Sequence, residues 1–297
     1  MKLASSRIKT LFLCLLFCLG SLKSRAQGYD VQRNQILAYN ILLNGIVGGI
    51  GGAIHKAPGE KTWKAFLKNF GKASLGGLVS YSAKYQTFYL RTNTSTFMAP
   101  ANRLLYFLGN SMTLNASLNK KLLSQYHCNL YGLDMVANLE NRSEKFLSVR
   151  LSLVTVGAFT SFLIRGHRFD LYKSIEYGIF YFHMNPHITK YAGFTTFNCI
   201  AIGDNKAGVP LYSVIPHEMI HSYQSYDYFP ISNLYTPAIK VKYEKFNLYN
   251  VLSKYFRLDY EAAFQGALYE IQPTPKYYKN FYEFEAQHFD TRAYIKR

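Results

Sequence analysis

The stretch Val214–Gln224, with the sequence VIPHEMIHSYQ, is the most informative part of this 297-residue chain. On an α-helix, His217 and His221 lie one turn apart on the same face, so both imidazoles can bind one ion. Glu218 follows the first histidine, where its carboxylate can reach a water on that ion and accept its proton. The flanking residues are uncharged, as a helix packed beside a sheet requires. The stretch predicts a Zn²⁺ site with ligands His217 and His221 and with Glu218 as the catalytic base.

Pro216 stands directly before the first histidine of this stretch. A proline in a helix interior removes a backbone hydrogen bond, but at the first helical position its missing N–H has no intrahelical partner. We therefore expect the helix to begin at Pro216.

The residues before the motif have the composition of strands. Alternating apolar residues fill the segments Phe146–Ile164, Phe169–Phe182 and Phe194–Ile202. Turn residues separate them at Arg165-Gly166-His167 and at Asn185-Pro186. The pattern predicts three or more strands joined by turns.

The N-terminal third is rich in glycine and apolar residues. The uncharged segment Asn34–Ile54 and the segment Thr62–Tyr85 both carry small residues at helical spacing. Such a pair forms either a membrane-inserting hairpin or two soluble helices whose backbones approach closely. Four lysines in the second segment favour the soluble pair. Residues 100–125 predict another helix.

The order of helices, then strands, then helices predicts an α+β fold rather than alternating α/β. We expect a helical, Gly-rich N-terminal region over residues 27–127. The region 128–297 would hold a small, mostly antiparallel sheet and a helical C-terminal half. The helix with His217 and His221 would pack under that sheet.

The first 26 residues have the pattern of a cleaved signal peptide. A basic start precedes the apolar run Leu11–Leu19, and Ser24-Arg25-Ala26 places small residues where signal peptidase requires them. We therefore expect an exported protein that is periplasmic, associated with the outer membrane or secreted.

Charge and cysteine content limit the partners and the kind of site. The net charge is +17, and five Lys/Arg with no acid precede Gln27, so the mature chain would carry +12. The basic residues are spread along the chain and form no nucleic-acid-binding motif, so we expect no nucleic-acid partner but a possible membrane association.

The mature chain keeps Cys128 and Cys199, which form either one disulfide or two free thiols. Neither lies in a CxxC pair, which excludes zinc held by thiolates.

The third zinc ligand must come from elsewhere in the chain. Glu283 and Glu285 lie on a predicted helix near the C-terminus, and Glu261 is a weaker candidate whose simpler interpretation is a helix-surface acid. Glu283 and Glu285 point to different faces of their helix, so only one of them can serve.

The segment Glu283-Phe284-Glu285-Ala286-Gln287 resembles the second motif of the gluzincins, in particular the CAAX-prenyl-protease and HtpX-like zinc peptidases. Their motif is Glu-x-x-Ala-Asp, in which the Glu binds zinc and the Asp supports the first motif helix. The resemblance implies a zincin-like fold in which Glu283 is the third ligand and its helix closes the site. Gln287 departs from the pattern at the supporting position.

Other polar residues have simpler interpretations. His183 and His187 also lie four residues apart, but Asn185-Pro186 between them favours a turn over a helix. Tyr223 and His288 could polarise a substrate carbonyl, but a packed tyrosine and a surface histidine are the default interpretations.

We therefore expect an exported zinc-dependent hydrolase whose substrate is a peptide or protein. Zinc would polarise the carbonyl, and Glu218 would activate water and return the proton to the leaving amine. The alternative is a non-catalytic envelope or membrane-associated protein that carries the motif by chance.

Overall fold

The computed structural model describes residues 29–91, 98–140, 146–188, 192–203, 211–232, 247–271 and 280–290, so the predicted leader lies outside the described residues. The helices are α1 (Tyr29–Ile54), α2 (Thr62–Gln86), α3 (Met98–Ser117), α4 (Leu153–Ile164), α5 (Leu171–Tyr177), α6 (Leu211–Asp227), α7 (Asn247–Tyr255), α8 (Tyr260–Ile271) and α9 (Phe281–Asp290). The strands are β1 (Gln125–Leu130), β2 (Leu133–Asn138), β3 (Leu147–Ser152), β4 (Arg168–Asp170), β5 (Phe180–His183), β6 (Gly193–Thr196), β7 (Cys199–Ile202) and β8 (Phe256–Arg257). The chain is α+β, as the order of its sequence patterns predicts.

The first two helices form the expected hairpin, whose backbones approach closely at glycines. A Cβ on Gly48 would lie 2.2 Å from the Cβ of Ala73, and one on Gly77 would lie 2.4 Å from the carbonyl oxygen of Asn40. No larger residue fits at these crossings without moving a helix. Helix α3 packs against the same hairpin and ends at Ser117, earlier than the sequence predicts.

Within the described part of the chain, one helix is long and apolar enough to cross a membrane. It is the part of α1 from Arg33 to Ile54, with a mean hydropathy of 1.5. However, 61% of its most apolar window is buried inside the protein, as in a helix that packs within a core.

The strands form two four-stranded sheets, whereas the sequence predicts one. The first sheet has the order β1-β2-β3-β8, with antiparallel pairs except for β3 and β8. The second has the order β4-β5-β7-β6, with a parallel pair only between β5 and β7. Strand β6 therefore lies at an edge of the second sheet.

Two predicted strands contain helices. Residues 153–164 form α4 because Ser152 caps it, with its Oγ accepting a hydrogen bond of 3.1 Å from the backbone N–H of Thr155. Within Phe169–Phe182, Asp170 caps α5 in the same way through the N–H of Lys173, and Gly178 ends it in the left-handed conformation. The apolar residues of both segments suit either structure, and the caps decide for helix.

Helix α6 packs against β6 and β7 on one side and against α9 on another. It begins at Leu211, so the prediction that it begins at Pro216 is wrong, and the proline lies inside the helix. The cost is one backbone hydrogen bond in the second turn.

Met219 and Ile220 of α6 share one apolar core with Ile36 and Tyr81 of the N-terminal hairpin. The N-terminal helices and the predicted catalytic region therefore share a core.

Cys128 and Cys199 are free thiols, and both are buried. Burial raises the pKa of Cys128 to about 11 and that of Cys199 to about 12. Of the two alternatives that the sequence leaves open, the structure has the unpaired one.

Candidate metal centre

The two histidines of the motif lie on the same face of α6, one turn apart. Their Nε2 atoms are 3.1 Å from each other. The rings are nearly perpendicular, with an interplanar angle of 81°. Both nitrogens therefore face one point beside the helix.

Glu283 of α9 completes a triangle with these nitrogens. Its Oε2 lies 3.3 Å from His217 Nε2 and 3.4 Å from His221 Nε2. Two ligands of a tetrahedral zinc, each about 2.0–2.1 Å from the metal, lie about 3.3–3.4 Å apart. The three distances between these ligand atoms fit that spacing. Among the described residues, His217, His221 and Glu283 form the group of His, Cys, Asp or Glu side chains that could hold a metal ion.

The proton of His221 can be assigned from its neighbours. The Nε2 of Gln224 donates to the carbonyl of Tyr282 and to Glu285 Oε2, both at 2.9 Å, so the amide orientation of Gln224 is fixed. Its Oε1 therefore faces His221 Nδ1, at 2.8 Å, as an acceptor. With the Nδ1–H donating to this oxygen, the neutral imidazole has its lone pair on Nε2. That is the tautomer a metal ligand needs, and it fits the site to a cation.

Glu285 is not a third ligand but the centre of a buried network. Its side chain is fully buried and receives hydrogen bonds from Lys84 Nζ at 3.0 and 3.2 Å, from Asn40 Nδ2 at 2.8 Å and from Gln224 Nε2. Lys84 also donates to Asp227 Oδ2 at 2.6 Å. Of Glu283 and Glu285, between which spacing alone does not decide, Glu283 is the one whose carboxylate joins the possible metal-binding group with His217 and His221.

The buried charges of Lys84, Asp227 and Glu285 change one another's pKa values. Burial by itself would lower the pKa of Lys84, but Asp227 and Glu285 outweigh it and raise that pKa. Burial acts to raise the pKa of Glu285, but Lys84 and the two amide donors hold it below its ordinary value. The pKa of Asp227 is raised by burial. Lys84 and Glu285 therefore keep their charges at neutral pH.

Glu261 has a different role from the surface acid that the sequence suggests. It is fully buried and forms an ion pair with Arg257, four residues earlier. The same guanidinium faces Asp259 at 3.4 Å and Asp134 at 3.6 Å. These residues lie beside the first sheet, so Glu261 is not a member of the metal triad.

Glu218 lies between α6 and the edge strand β6, and it is largely buried. The hydroxyl of Thr195 is 2.7 Å from Glu218 Oε2 and 2.9 Å from its backbone carbonyl. A Cβ on Gly193 would lie 2.7 Å from Val214 Cγ1 and 2.8 Å from Glu218 Oε1, so a larger residue there would displace these α6 side chains. Strand β6 therefore both packs against Glu218 and contacts its carboxylate through Thr195.

A cavity of about 270 Å³ opens beside these side chains. Glu218, His221 and Glu283 lie on one wall, β6 forms a second, and Gln265 and Tyr269 of α8 contribute to the lining. The hydroxyl of Tyr269 donates to Glu283 Oε1 at 3.3 Å. A small polar group could therefore reach His221, Glu283 and Glu218 from this side.

The remaining sequence candidates lie elsewhere. His183 is in β5, paired with Asp170 at 2.9 Å, and His187 follows in the predicted turn, so the two share no helix face. Tyr223 is packed in the core against Tyr106, as its default interpretation has it. His288 is buried, so its interpretation as a surface histidine is wrong.

Sequence reasoning missed Gln224, Thr195 and Tyr269. Gln224 could have been found from its spacing, because residue i+3 on a helix lies over His221. Thr195 and Tyr269 come from β6 and α8, far from the motif in sequence, and no local pattern marks them.

The scan of protein-family models gave no match, and neither the search of curated proteins nor that of solved structures found a similar protein. The description of this site as a metal centre thus rests on its own geometry.

Proposed function

We propose that this chain is an exported zinc-dependent peptidase with a zincin-like catalytic region. The observation that carries the proposal is the triangle of His217 Nε2, His221 Nε2 and Glu283 Oε2, with edges of 3.1 to 3.4 Å. Zinc is the metal that best fits two imidazoles and one carboxylate at tetrahedral spacing.

A zinc ion held there would polarise a carbonyl oxygen and lower the pKa of a water molecule. The chain supplies the proton transfer. Thr195 holds Oε2 of Glu218, which leaves Oε1 to accept a proton from water as the water oxygen attacks the carbonyl carbon. Glu218 then delivers that proton to the amine nitrogen as the C–N bond breaks. Water and one peptide bond thus give one acid and one amine.

An extended peptide suits the cavity better than a compact substrate does. Strand β6 pairs with β7 on one side, and Gly193, Phe194 and Thr195 line the cavity on the other. The backbone groups of an edge strand can pair with an added extended chain. This arrangement would bring a backbone carbonyl next to Glu218.

The test is zinc binding and proteolysis by the wild-type chain and by Glu218→Gln. We expect one bound zinc per chain in both, with hydrolysis of fluorescein-labelled casein falling by about 10²–10⁴-fold in the variant. Glu283→Gln should lose zinc as well as activity, whereas Glu176→Gln, on α5, should change neither.

Two results would overturn the proposal. Zinc near zero in purified wild-type protein would remove the metal centre. Unchanged hydrolysis by Glu218→Gln would remove its role as base. Full zinc occupancy without hydrolysis would instead favour a non-catalytic metal protein.

A further inference from the structure

The outer face of α2 carries a row of exposed apolar side chains. Positions spaced three, four, seven or eight apart share one face of a helix, and along α2 these are Trp63, Leu67, Leu75, Leu78 and Tyr85. All five are exposed, Trp63 at 59% and Leu67 at 57%. The opposite face of α2 packs against α1 and α3. We call the five residues the α2 outer face.

Lysines run along one margin of this face. From Lys56 to Lys72 the chain has six lysines and one acid, Glu60, and Lys68 pairs with that acid at 2.6 Å. Lys64 lies next to the apolar row, with its Nζ 5.8 Å from the centre of the Trp63 ring.

A second basic segment reaches the same end of the helix. Lys72 Nζ donates to the carbonyl of Lys120 at 2.9 Å. Asn119 donates to Glu60 Oε2 at 3.0 Å, which fixes the turn after α3 against the hairpin tip. Lys120 is therefore added to the basic end of the α2 outer face, whereas Lys121 pairs with Glu140 at 2.7 Å.

We propose that the α2 outer face lies on an anionic lipid bilayer. Basic residues alone would suit any polyanion, but a polysaccharide would make no apolar contact with the three exposed leucines of this face. Apolar side chains with a tryptophan at one end and lysines beside them match a helix in the plane of a membrane interface. The helix does not span the bilayer, because its other face is the hairpin contact with α1 and α3. This proposal is independent of the peptidase activity.

The chain contains one tryptophan, Trp63, which makes the test direct. The full chain is mixed with vesicles of phosphatidylcholine, alone or with one third phosphatidylglycerol, and binding is followed by sedimentation and by tryptophan emission. We expect a blue shift of the emission with the anionic vesicles, weakened by added salt. Any contribution of the N-terminal leader to sedimentation is common to all variants.

Two variants probe the two parts of the face. Leu67→Ser/Leu75→Ser removes apolar contact, and Lys61→Glu/Lys64→Glu reverses charge, and each should weaken binding at least tenfold. Leu171→Ser/Tyr172→Ser removes a still more exposed apolar pair from α5 and should leave binding unchanged. Thermal melting of each variant confirms that it is folded.

Three results would overturn the proposal. Sedimentation without a shift of the Trp63 emission would assign binding to another segment. Equal binding to neutral vesicles would remove the role of the lysines. A concentration-dependent blue shift without vesicles would assign the face to a second copy of the chain.

Discussion

Two clusters of polar side chains lie on either side of Gln224, and they differ in completeness. In the lysine cluster, formed by Lys84, Asp227 and Glu285, donors and acceptors alternate and the charges are of opposite sign. In the ligand cluster, formed by His217, His221 and Glu283, the two Nε2 atoms and one carboxylate oxygen lie 3.1 to 3.4 Å from one another. Three potential ligand atoms at this spacing leave a place for a cation between them. The first cluster is complete as it stands, and the second has the composition of a binding site.

The difference also separates what each cluster does for the protein. The lysine cluster joins α2, α6 and α9, because Lys84, Asp227 and Glu285 come from these three helices. It supports α9, which carries Glu283, and it receives the amide of Gln224, which orients His221. The ligand cluster faces a cavity and links only α6 and α9, through Glu283. We therefore expect changes in the lysine cluster to act on stability and changes in the ligand cluster to act on metal binding.

The largest expected effect is that of Lys84→Met. Removal of the cation leaves Asp227 and Glu285 buried without their counter-charge, which destabilises by about 3–5 kcal/mol. Chemical denaturation followed by circular dichroism measures the loss. Lys64→Met, on the exposed side of the same helix, should change the free energy of unfolding by less than about 0.5 kcal/mol.

A double variant sharpens this prediction. Lys84→Met/Glu285→Gln removes the cation together with one of its two anions, so part of the lost stability should return. If the double variant is as unstable as the sum of its single changes, the buried charges are not coupled and the contrast between the clusters is wrong.

The next effect is stabilisation by zinc. A ligand that binds only the folded chain raises the free energy of unfolding by about 2.7 kcal/mol at a concentration of 100 times its dissociation constant. We expect this shift in the wild-type chain and in Glu218→Gln, whose carboxylate is outside the triangle. His217→Ala and Glu283→Gln should lose it, as measured by the melting temperature with and without zinc. An equal shift in all four proteins would place the metal elsewhere.

Gln224 connects the two clusters, and its removal has a smaller effect. Gln224→Ala takes away the acceptor that fixes the proton of His221 on Nδ1, and such supports typically contribute 10–100-fold to metal affinity. Competition with a chromophoric chelator measures the zinc affinity. Gln265→Ala, in the lining of the same cavity, should leave it unchanged.

The variant Gln224→Glu distinguishes orientation from packing. It keeps an acceptor for His221 but brings a second carboxylate to the place where the amide now donates to Glu285. We expect better zinc affinity than in Gln224→Ala together with lower stability. The reverse order of the two affinities would contradict the role of Gln224 in orienting His221.

These residues also show which features of the fold and the site can be predicted from the sequence. The spacing of His217 and His221 is enough to place both on one helix face, and the α+β class follows from the order of segments. The role of Glu285 could not be predicted, because it depends on Lys84, about 200 positions away in the chain. Helix α4 was missed because its Val, Phe and Thr residues suit strands, and one local cap at Ser152 outweighs them. Long-range contacts and single caps thus account for what the pattern leaves out.

The smallest effect concerns a histidine outside both clusters, which serves as a reference for acid sensitivity. Burial lowers the pKa of His127 to about 4, against a weaker opposing effect of Asp134. Its ordinary value is 6.5, so between about pH 6.5 and pH 4 the unfolded chain binds a proton that the folded chain does not. Stability must then fall as the pH drops through this window. Because the residue keeps some solvent exposure, we expect a loss of about 1–2 kcal/mol rather than the full linkage value.

In His127→Phe this part of the acid sensitivity should disappear, and in His187→Gln, where the histidine is exposed, it should remain. Denaturation at several pH values measures both, and an unchanged pH dependence in His127→Phe would assign the acid sensitivity to the carboxylates of the two clusters instead.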